Sequence, residues 1–560
     1  MKATKEEISV GLASIDGQML RKMIIAGANN LSDNKQLVDS LNVFPVPDGD
    51  TGTNMSLTAL SAASETEKSD SANIGEIAKL ASGGALRGAR GNSGVILSQL
   101  IRGFSKGLDG IAQADVRELA AAGRRGVETA YKAVMKPKEG TILTVAKACA
   151  DAAEEAAEKT ENVEEFLKQV IDSGNEMLLK TKDMLDVLKQ ADVVDAGGKG
   201  LLCILEGAFN SINTNEEISL KETGEIKKPV ITNIALDADS DIKYGYCTEF
   251  FVLKKNADEK TVDDLKNYLL SIGDSLVVVA DDDVIKVHVH TNHPGQAIEK
   301  ALTIGALNGL KIDNMRIQHT SKIQFEKNEE AKEEPKKNEP KKKIGFVSVS
   351  MGDGIAEIFK NLGADEIVSG GQTMNPSTED ILNAVEKVNA ENVFILPNNK
   401  NIILASEQAA KIVEDKKIFV VPSTSVPEGI SALINYDASQ SVEDSFEAMK
   451  ENISLVKTCM VTYAVRDTAI GETKIAEGDI LGMLGGKIEV VSKDIEEGTC
   501  QLLEKAIDDD SEMVTIYYGA DMDNATAEKI SAFIGEKYPE CEVEIVNGGQ
   551  PLYYYIISVE

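Results

Sequence analysis

Residues 326–343 read Glu-Lys-Asn-Glu-Glu-Ala-Lys-Glu-Glu-Pro-Lys-Lys-Asn-Glu-Pro-Lys-Lys-Lys, and no core can be built from them. Thirteen of these eighteen residues are charged, two are proline, and Ala331 is the one apolar side chain. Such a tract buries too little surface to offset the entropy of ordering it. It therefore splits the chain into parts that need separate cores. A second polar stretch at 213–235, opening Asn213-Thr-Asn-Glu-Glu, marks another linker. With 560 residues, 42% of them hydrophobic, the remainder is enough for several cores. Length alone suggests roughly three to four domains.

The segments between these linkers differ in pattern. Residues 1–212 read as helical. Ile8, Leu12, Ile15, Met19 and Met23 recur at steps of three and four, giving one apolar stripe. Further helices are expected at about 73–82, 93–107, 114–133, 141–158, 163–180 and 198–211. This part is expected to be an all-α bundle or barrel with its loops gathered at one end. Residues 236–325 alternate differently, with strand, helix, two strands, helix and strand expected from Tyr246 to His319. That βαββαβ order is the ferredoxin-like α+β unit. From Ile344 onward, apolar strand-like runs alternate with helices up to Val421, the pattern of a parallel α/β sheet. Beyond about 441 a helix and strands near 459–465, 488–492, 513–517 and 542–558 are expected.

Charge narrows the partners. A net charge of −33 and a pI near 4.6 argue against nucleic acid, which needs basic stripes. The N-terminus has no apolar signal core, and no apolar run reaches the length of a membrane span. The six cysteines (Cys149, Cys203, Cys247, Cys459, Cys500 and Cys541) have no paired spacing, which fits reduced thiols in a cytoplasm.

The chemistry gathers first at Asn42-Val-Phe-Pro-Val-Pro-Asp48-Gly-Asp50-Thr-Gly-Thr-Asn54-Met. Two prolines stiffen the approach, and two carboxylates then stand two residues apart beside glycines. Thr51, Gly52, Thr53 and Asn54 follow at once. This is the order expected of a loop that holds a hard divalent cation through oxygens and opens onto phosphates. A turn between two helices is the plainer alternative. A second glycine-rich segment follows, Ser82-Gly-Gly-Ala-Leu-Arg87-Gly-Ala-Arg90-Gly-Asn92-Ser93-Gly94. Ser93 opens an apolar helical run, so exposed amides and the helix dipole would suit a phosphate there. Tight packing of helices through small residues is the competing reading. Arg87 and Arg90 are candidates to stabilise transition-state charge, with a solvated surface role as the alternative for each. No G-x-x-x-x-G-K-[ST] loop occurs; Gly197-Gly198-Lys199-Gly200 lacks that spacing.

Asp-Gly-Asp-Thr-Gly-Thr-Asn-Met resembles the Mg-nucleotide loop of the DhaL-type kinase domain known from dihydroxyacetone kinases. The approach Leu41-Asn-Val-Phe-Pro-Val-Pro47 narrows the resemblance to the bacterial fatty acid kinases, specifically their ATP-binding catalytic component. The likeness extends over the whole chain. It implies a DhaL-type helical barrel at 1–212, an α+β middle domain and a DegV-like α/β domain at 344–560, the fold of the kinase's fatty-acid-binding partner. It also implies ATP and Mg²⁺ as cofactors, with Asn92, Ser93 and Gly94 at the phosphates. Gly140-Thr141-Ile142-Leu143 resembles the family's segment near the adenine, and Asp195-Ala196-Gly197-Gly198 its Asp-Pro-Gly turn. DhaL domains carry a third metal aspartate before the pair. Here that place falls on Asn42 with one inserted residue, or on Val43 without a gap. Asp48 and Asp50 are the expected Mg²⁺ ligands, with Asn42 as a third.

A second metal is expected in the middle domain. In a strand, residues i and i+2 share a face, so His288 and His290 project together. Strands one and three are central neighbours in a βαββαβ sheet, which brings Cys247 beside them. A Cys-His-His set suits Zn²⁺, and the fatty acid kinase relatives carry the same pattern. Water, Glu249 and His293 all remain open as the fourth ligand, and a polar strand end with an unrelated cysteine is the alternative.

The function implied is phosphorylation of a fatty acid carboxylate, presented by a separate DegV-family carrier, to give acyl phosphate for phospholipid synthesis. A homodimer is a further partner expectation. All four histidines lie at 288 or beyond, so the kinase part offers no histidine base. An ionised carboxylate needs none, whereas a hydroxyl acceptor usually does. The alternatives are a dihydroxyacetone-type kinase acting on a small polyol or ketone, and a regulator that senses nucleotide without catalysis. Residues 344–560 are expected to dock the carrier, with the 326–343 linker letting them swing. No long apolar tunnel is signalled in residues 1–212, so the acyl tail is expected to stay inside the carrier.

Overall fold

The computed structural model describes residues 12–42, 49–134, 137–212, 214, 218–221, 246–253, 259–280, 284–314, 341–371, 375–470 and 473–560. The chain forms two compact units, residues 1–222 together with 341–560, and residues 223–340.

The N-terminal part of the first unit is all-α. Its helices are α1 (Gly17–Asp33), α2 (Lys35–Ser40), α3 (Thr51–Glu67), α4 (Ile74–Gly88) and α5 (Gly91–Gly107), then α6 (Val116–Ala133), α7 (Ile142–Ala157), α8 (Val163–Thr181), α9 (Asp186–Ala191) and α10 (Ala196–Ile212). The long helices follow one another side by side, and α10 closes the ring against α1. Capping fixes several starts. Asp115 accepts from the N–H groups of Arg117 and Glu118 while the Glu118 carboxylate reaches back to its N–H, and the Asn162 side chain accepts from the Glu164 and Glu165 N–H groups at the start of α8. Replacing such a cap typically costs about 1 kcal/mol. Two apolar clusters fill the interior. Leu20, Leu119, Phe166 and Leu202 belong to one, and Leu31, Met55, Leu97 and Ile142 to the other. Burying each such side chain contributes roughly 1.5–3 kcal/mol.

Two expectations change here. The stripe from Ile8 to Met23 is not one helix over its described part. Asp16 caps α1 through its carboxylate, accepting from the Met19 N–H, and Ile15 instead pairs with Ala114 in an isolated bridge. Gly17 lies so close to the 71–73 backbone that a Cβ there would stand 2.6 Å from the Ser71 oxygen. The Thr-Gly-Thr-Asn-Met sequence, expected as loop, is the first turn of the 17-residue α3.

The C-terminal part of this unit opens with a parallel sheet. It runs β5 (Lys342–Ser350), α13 (Asp353–Asn361), β6 (Glu366–Ser369), α14 (Thr378–Lys387), β7 (Ala390–Leu396), α15 (Ile403–Ala410) and β8 (Lys417–Val420), with strand order β6-β5-β7-β8. Helices α16 (Val426–Ile434) and α17 (Val442–Ile453) lead to a second, six-stranded sheet. That sheet contains β9 (Lys457–Tyr463), β12 (Ile480–Leu484), β13 (Lys487–Ser492), β14 (Met513–Tyr518), β15 (Glu542–Asn547) and β16 (Tyr555–Val559), ordered β13-β12-β9-β16-β14-β15. A hairpin of β10 (Thr468–Ile470) and β11 (Thr473–Ile475) projects between β9 and β12. Helices α18 (Ile495–Ala506) and α19 (Asn524–Lys537) cover the sheet. The expected strand at 542–558 is two strands flanking β14, β15 parallel to it and β16 antiparallel.

The second unit is the expected α+β fold: β1 (Tyr246–Leu253), α11 (Glu259–Ile272), β2 (Gly273–Ala280), β3 (Val284–Thr291), α12 (Pro294–Leu302) and β4 (Ala306–Asn314), in sheet order β2-β3-β1-β4. Phe250, Val252, Val287 and Val289 pack with Leu265 and Leu269 of α11 and Ala297 and Ala301 of α12.

The 213–235 and 326–343 linkers lie almost wholly outside the described residues. Their neighbour, the C-terminal domain, is not a free arm in this structure. It is seated on the helical domain within one unit, joined by the hydrogen bonds described below.

Candidate nucleotide site

Four helix N-termini meet at one end of the helical domain, those of α3, α5, α7 and α10. Gly197 lies against the Ile142 side chain, Gly200 against Met55, and Gly94 against Thr58 and the Asn54 carbonyl. The partial positive charge of each helix start is directed toward the same end.

Around the start of α3, Asp50 is half-buried and its backbone carbonyl accepts from the Asn54 N–H at 2.8 Å. Asp48 lies outside the described residues. Asn42 is engaged locally. Its amide pairs with the Thr51 hydroxyl, and in the orientation that satisfies both ends its carbonyl accepts from the Asp50 and Thr51 N–H groups. Asp39, on α2, is a residue that the sequence pattern does not single out. Its carboxylate takes the Gly52 N–H at 2.6 Å, the Thr53 N–H at 3.1 Å and the Thr53 hydroxyl at 2.9 Å. Gly52 and Thr53 thus spend these donors on Asp39, which locks α2 against α3. Asn54 is buried.

The start of α5 differs. No side chain caps it, and Gly91 holds a left-handed φ of +55°, which glycine alone adopts without strain. A Cβ on Gly91 would stand 2.6 Å from the Asn54 amide nitrogen. Gly94 is needed for packing, since a Cβ there would meet the Thr58 hydroxyl at 2.4 Å. Asn92 and Ser93 are half-buried. The packing role of the glycine-rich segment is therefore real, alongside an uncapped helix start.

The arginines point elsewhere. Arg87 pairs with Glu65 at 3.2 Å on an exposed helix face. Arg90 turns to the C-terminal domain, where Nη1 donates to the Asn375 carbonyl at 2.8 Å and Nη2 lies 3.5 Å from Asp380. Asn375 in turn donates from Nδ2 to the Asp50 carboxylate at 2.6 Å, and Asn92 donates to Asn401 Oδ1 at 3.2 Å. These asparagines lie some three hundred positions from the loops they touch, and no local spacing announces them.

Asp195 organises the other side. Its carboxylate accepts from the Gly198 N–H at 2.6 Å. Burial pushes its carboxyl up from 3.8 to about 6, against the opposing pull of the Gly198, Ile142 and Gly197 N–H groups. One carboxylate thereby ties the starts of α7 and α10 together, with Ala196 buried between. Thr141 caps α7 only through its backbone, and its hydroxyl donates to the Lys138 carbonyl.

Deeper in the barrel lies an apolar cavity of about 280 Å³, lined among others by Leu20, Met23, Phe104 and Phe166. Among the described residues no candidate site residue lines it, so the apolar space missing from the sequence reading exists away from the described site residues.

In the middle domain, Cys247 pairs in register with His290 and Glu249 with His288 across β1 and β3. Among the described residues no group of three His, Cys, Asp or Glu side chains forms a metal cluster. No described helix is long and apolar enough to cross a membrane.

Three family models match this chain: the DAK2 domain over residues 45–210, the middle domain of the FakA-like fatty acid kinases over 243–322, and the C-terminal domain of the same FakA-like kinases over 345–560. Protein YloV of Bacillus subtilis is 46% identical over 561 residues, covering 98% of this chain and all of that protein. Among solved structures, a DegV family protein of Corynebacterium glutamicum matches with a TM-score of 0.32 and 15% identity, over 39% of this chain and 98% of its own. The dihydroxyacetone kinase of C. freundii, in complex with AMP-PNP and Mg²⁺, matches with a TM-score of 0.28 and 18% identity, over 38% of this chain and 37% of its own. By its full-length relative and the models spanning all three domains, the chain belongs to the FakA-like fatty acid kinase family, whose N-terminal domain is of the DAK2 kinase type.

Proposed function

We propose that this chain transfers the γ-phosphoryl group of Mg-ATP to the carboxylate of a fatty acid held by a separate DegV-family carrier in the cytoplasm, giving acyl phosphate for phospholipid synthesis. The observation that carries this reading is the meeting of Asp50, the uncapped α5 start and the Asp195-tied starts of α7 and α10 at one end of the barrel.

Asp48 and Asp50 would hold Mg²⁺, which neutralises charge on the β- and γ-phosphates when bound. The Asp50 carboxylate is a hard oxygen donor of the kind such a cation takes, and its partner in this structure is the Asn375 amide nitrogen. The N–H groups at Asn92, Ser93 and Gly94 would receive phosphate oxygens. Thr141, Ile142 and the turn Asp195–Gly197 would line the base. Phosphoryl transfer asks the protein for position and charge compensation more than for covalent chemistry. An ionised carboxylate attacks without a general base, in keeping with a kinase domain that has no histidine.

The interior cavity does not reach the candidate residues, so the acyl tail stays in the carrier and only the carboxylate is offered. Residues 344–560 help dock that carrier. In the middle domain, Cys247, His288 and His290 would hold one Zn²⁺, a reading supported by the backbone register of β1 and β3. The test of the main reading is ATP-dependent acyl phosphate formation with a fatty-acid-loaded carrier, read as the acyl hydroxamate that hydroxylamine forms as it displaces the transferred phosphate. Nucleotide binding with no transfer to any acceptor would leave a regulator instead.

A further inference from the structure

The loops that the nucleotide reading uses are the loops on which the C-terminal domain sits. Asn375 grips Asp50, and Asn401 grips Asn92. The Thr378 N–H donates to the Ala89 carbonyl at 3.1 Å, making an antiparallel bridge of Arg90 and Ser377. Further along, Gln408 accepts from Gln99 at 2.9 Å and donates to the Leu86 carbonyl at 2.7 Å. On another side, Arg466 donates to the Ser40 carbonyl at 2.8 Å, and β10 lies beside α9. The footholds thus ring the open end of the helical domain.

In-line transfer needs an acceptor oxygen about 3 Å from the phosphorus, opposite the leaving oxygen. Asn375 is wholly buried, and its amide nitrogen lies 3.2 Å from where a Cβ on Gly91 would stand. This chain's own loop therefore fills the space beside Asp50 and Gly91. An acceptor carried on another protein needs that space.

The seam is also of a kind that parts. The apolar clusters of the described residues cross it only at Ala89 and Val95. Asn375 Oδ1 and Asn92 Oδ1 are buried there without a partner among the described residues. Unpaired buried polar atoms weaken an interface relative to its area, and polar interdomain contacts permit relative motion.

We propose that the C-terminal domain is a gate over the nucleotide end: seated, it holds Asp50 and Asn92 and excludes the acceptor, and it must leave before transfer. This rests on the nucleotide reading of Asp50 and Gly91–Gly94. The Ala89 and Thr378 backbones are hydrogen-bonded across the bridge, and such neighbours stand about 5.5 Å apart, within disulfide reach. A full-length Ala89→Cys, Thr378→Cys variant is loaded with ribose-labelled fluorescent Mg-ADP and then oxidised, with oxidised wild type as control. Oxidation should slow release of the label at least about tenfold and abolish transfer to a fatty-acid-loaded carrier, and reductant should restore both. Gln408→Ala, which loosens the seam outside the site, should release the label faster than wild type. Equal release from the oxidised and reduced pair, with Gln408→Ala at the wild-type rate, overturns the gate. If the reduced pair and wild type bind no labelled Mg-ADP, the nucleotide reading falls and the gate with it.

Discussion

Asp50 and Asp195 do opposite work with the same functional group. Asp50 stands at the rim with its carboxylate shared with Asn375. Asp50→Ala should weaken Mg-ADP binding by at least about a hundredfold, roughly 2.8 kcal/mol, while circular dichroism shows the chain still folded. The orphaned Asn375 amide should cost about 1–3 kcal/mol of stability. Wild-type affinity by calorimetry would contradict the metal assignment. Asp195 is a buried carboxylate raised from 3.8 to about 6. Between those values the folded chain keeps a proton that the unfolded chain has lost. Its contribution to stability therefore falls as pH rises through that window and stays low above it. Asp195→Asn should gain up to about 3 kcal/mol relative to wild type between pH 4 and 7. A urea-unfolding difference that does not change with pH would count against this. At this scale the sequence shows Asp50, Asn92 and Asp195 through their motifs. It hides Asp39 and Asn375. The first reads as an ordinary polar position on a helix, and the second acts from 325 residues away.

Among elements, legibility follows periodicity. Helices α5 to α8 lie within a few residues of where their apolar repeats place them, and the βαββαβ order of the middle domain is reproduced strand for strand. Helix α3 is missed because its first turn, Thr-Gly-Thr-Asn, has poor helix propensity; Asp39 and the packing of α2 supply what propensity lacks. The α1 stripe is overextended because an apolar repeat does not reveal that Asp16 will cap the helix. The strands of the middle domain carry their own prediction. With Cys247 opposite His290 and Glu249 opposite His288, protein purified without a His-tag should contain about one zinc per chain. His288→Ala, His290→Ala should lose it on elemental analysis. A metal-free wild type with full activity would leave a polar strand end as the explanation.

At the scale of the whole molecule, the charged tract at 326–343 marks a boundary in sequence, yet the C-terminal domain beyond it joins the N-terminal helical domain in one unit. Sequence pattern reports which segments can form a core, and it says little about which finished cores will dock. The account divides labour between these parts. Deleting 344–560 should leave Mg-nucleotide binding detectable, with release at least as fast as in Gln408→Ala, and depress acyl phosphate formation with the carrier. The most direct test of the central claim is the rate of hydroxamate formation from ATP, fatty acid and full-length chain, with and without a DegV-family carrier. The account predicts formation that requires both ATP and carrier and is lost in Asp50→Ala. Equal rates with free fatty acid alone, or γ-phosphate transfer to a small polyol or ketone in place of the carboxylate, would contradict it.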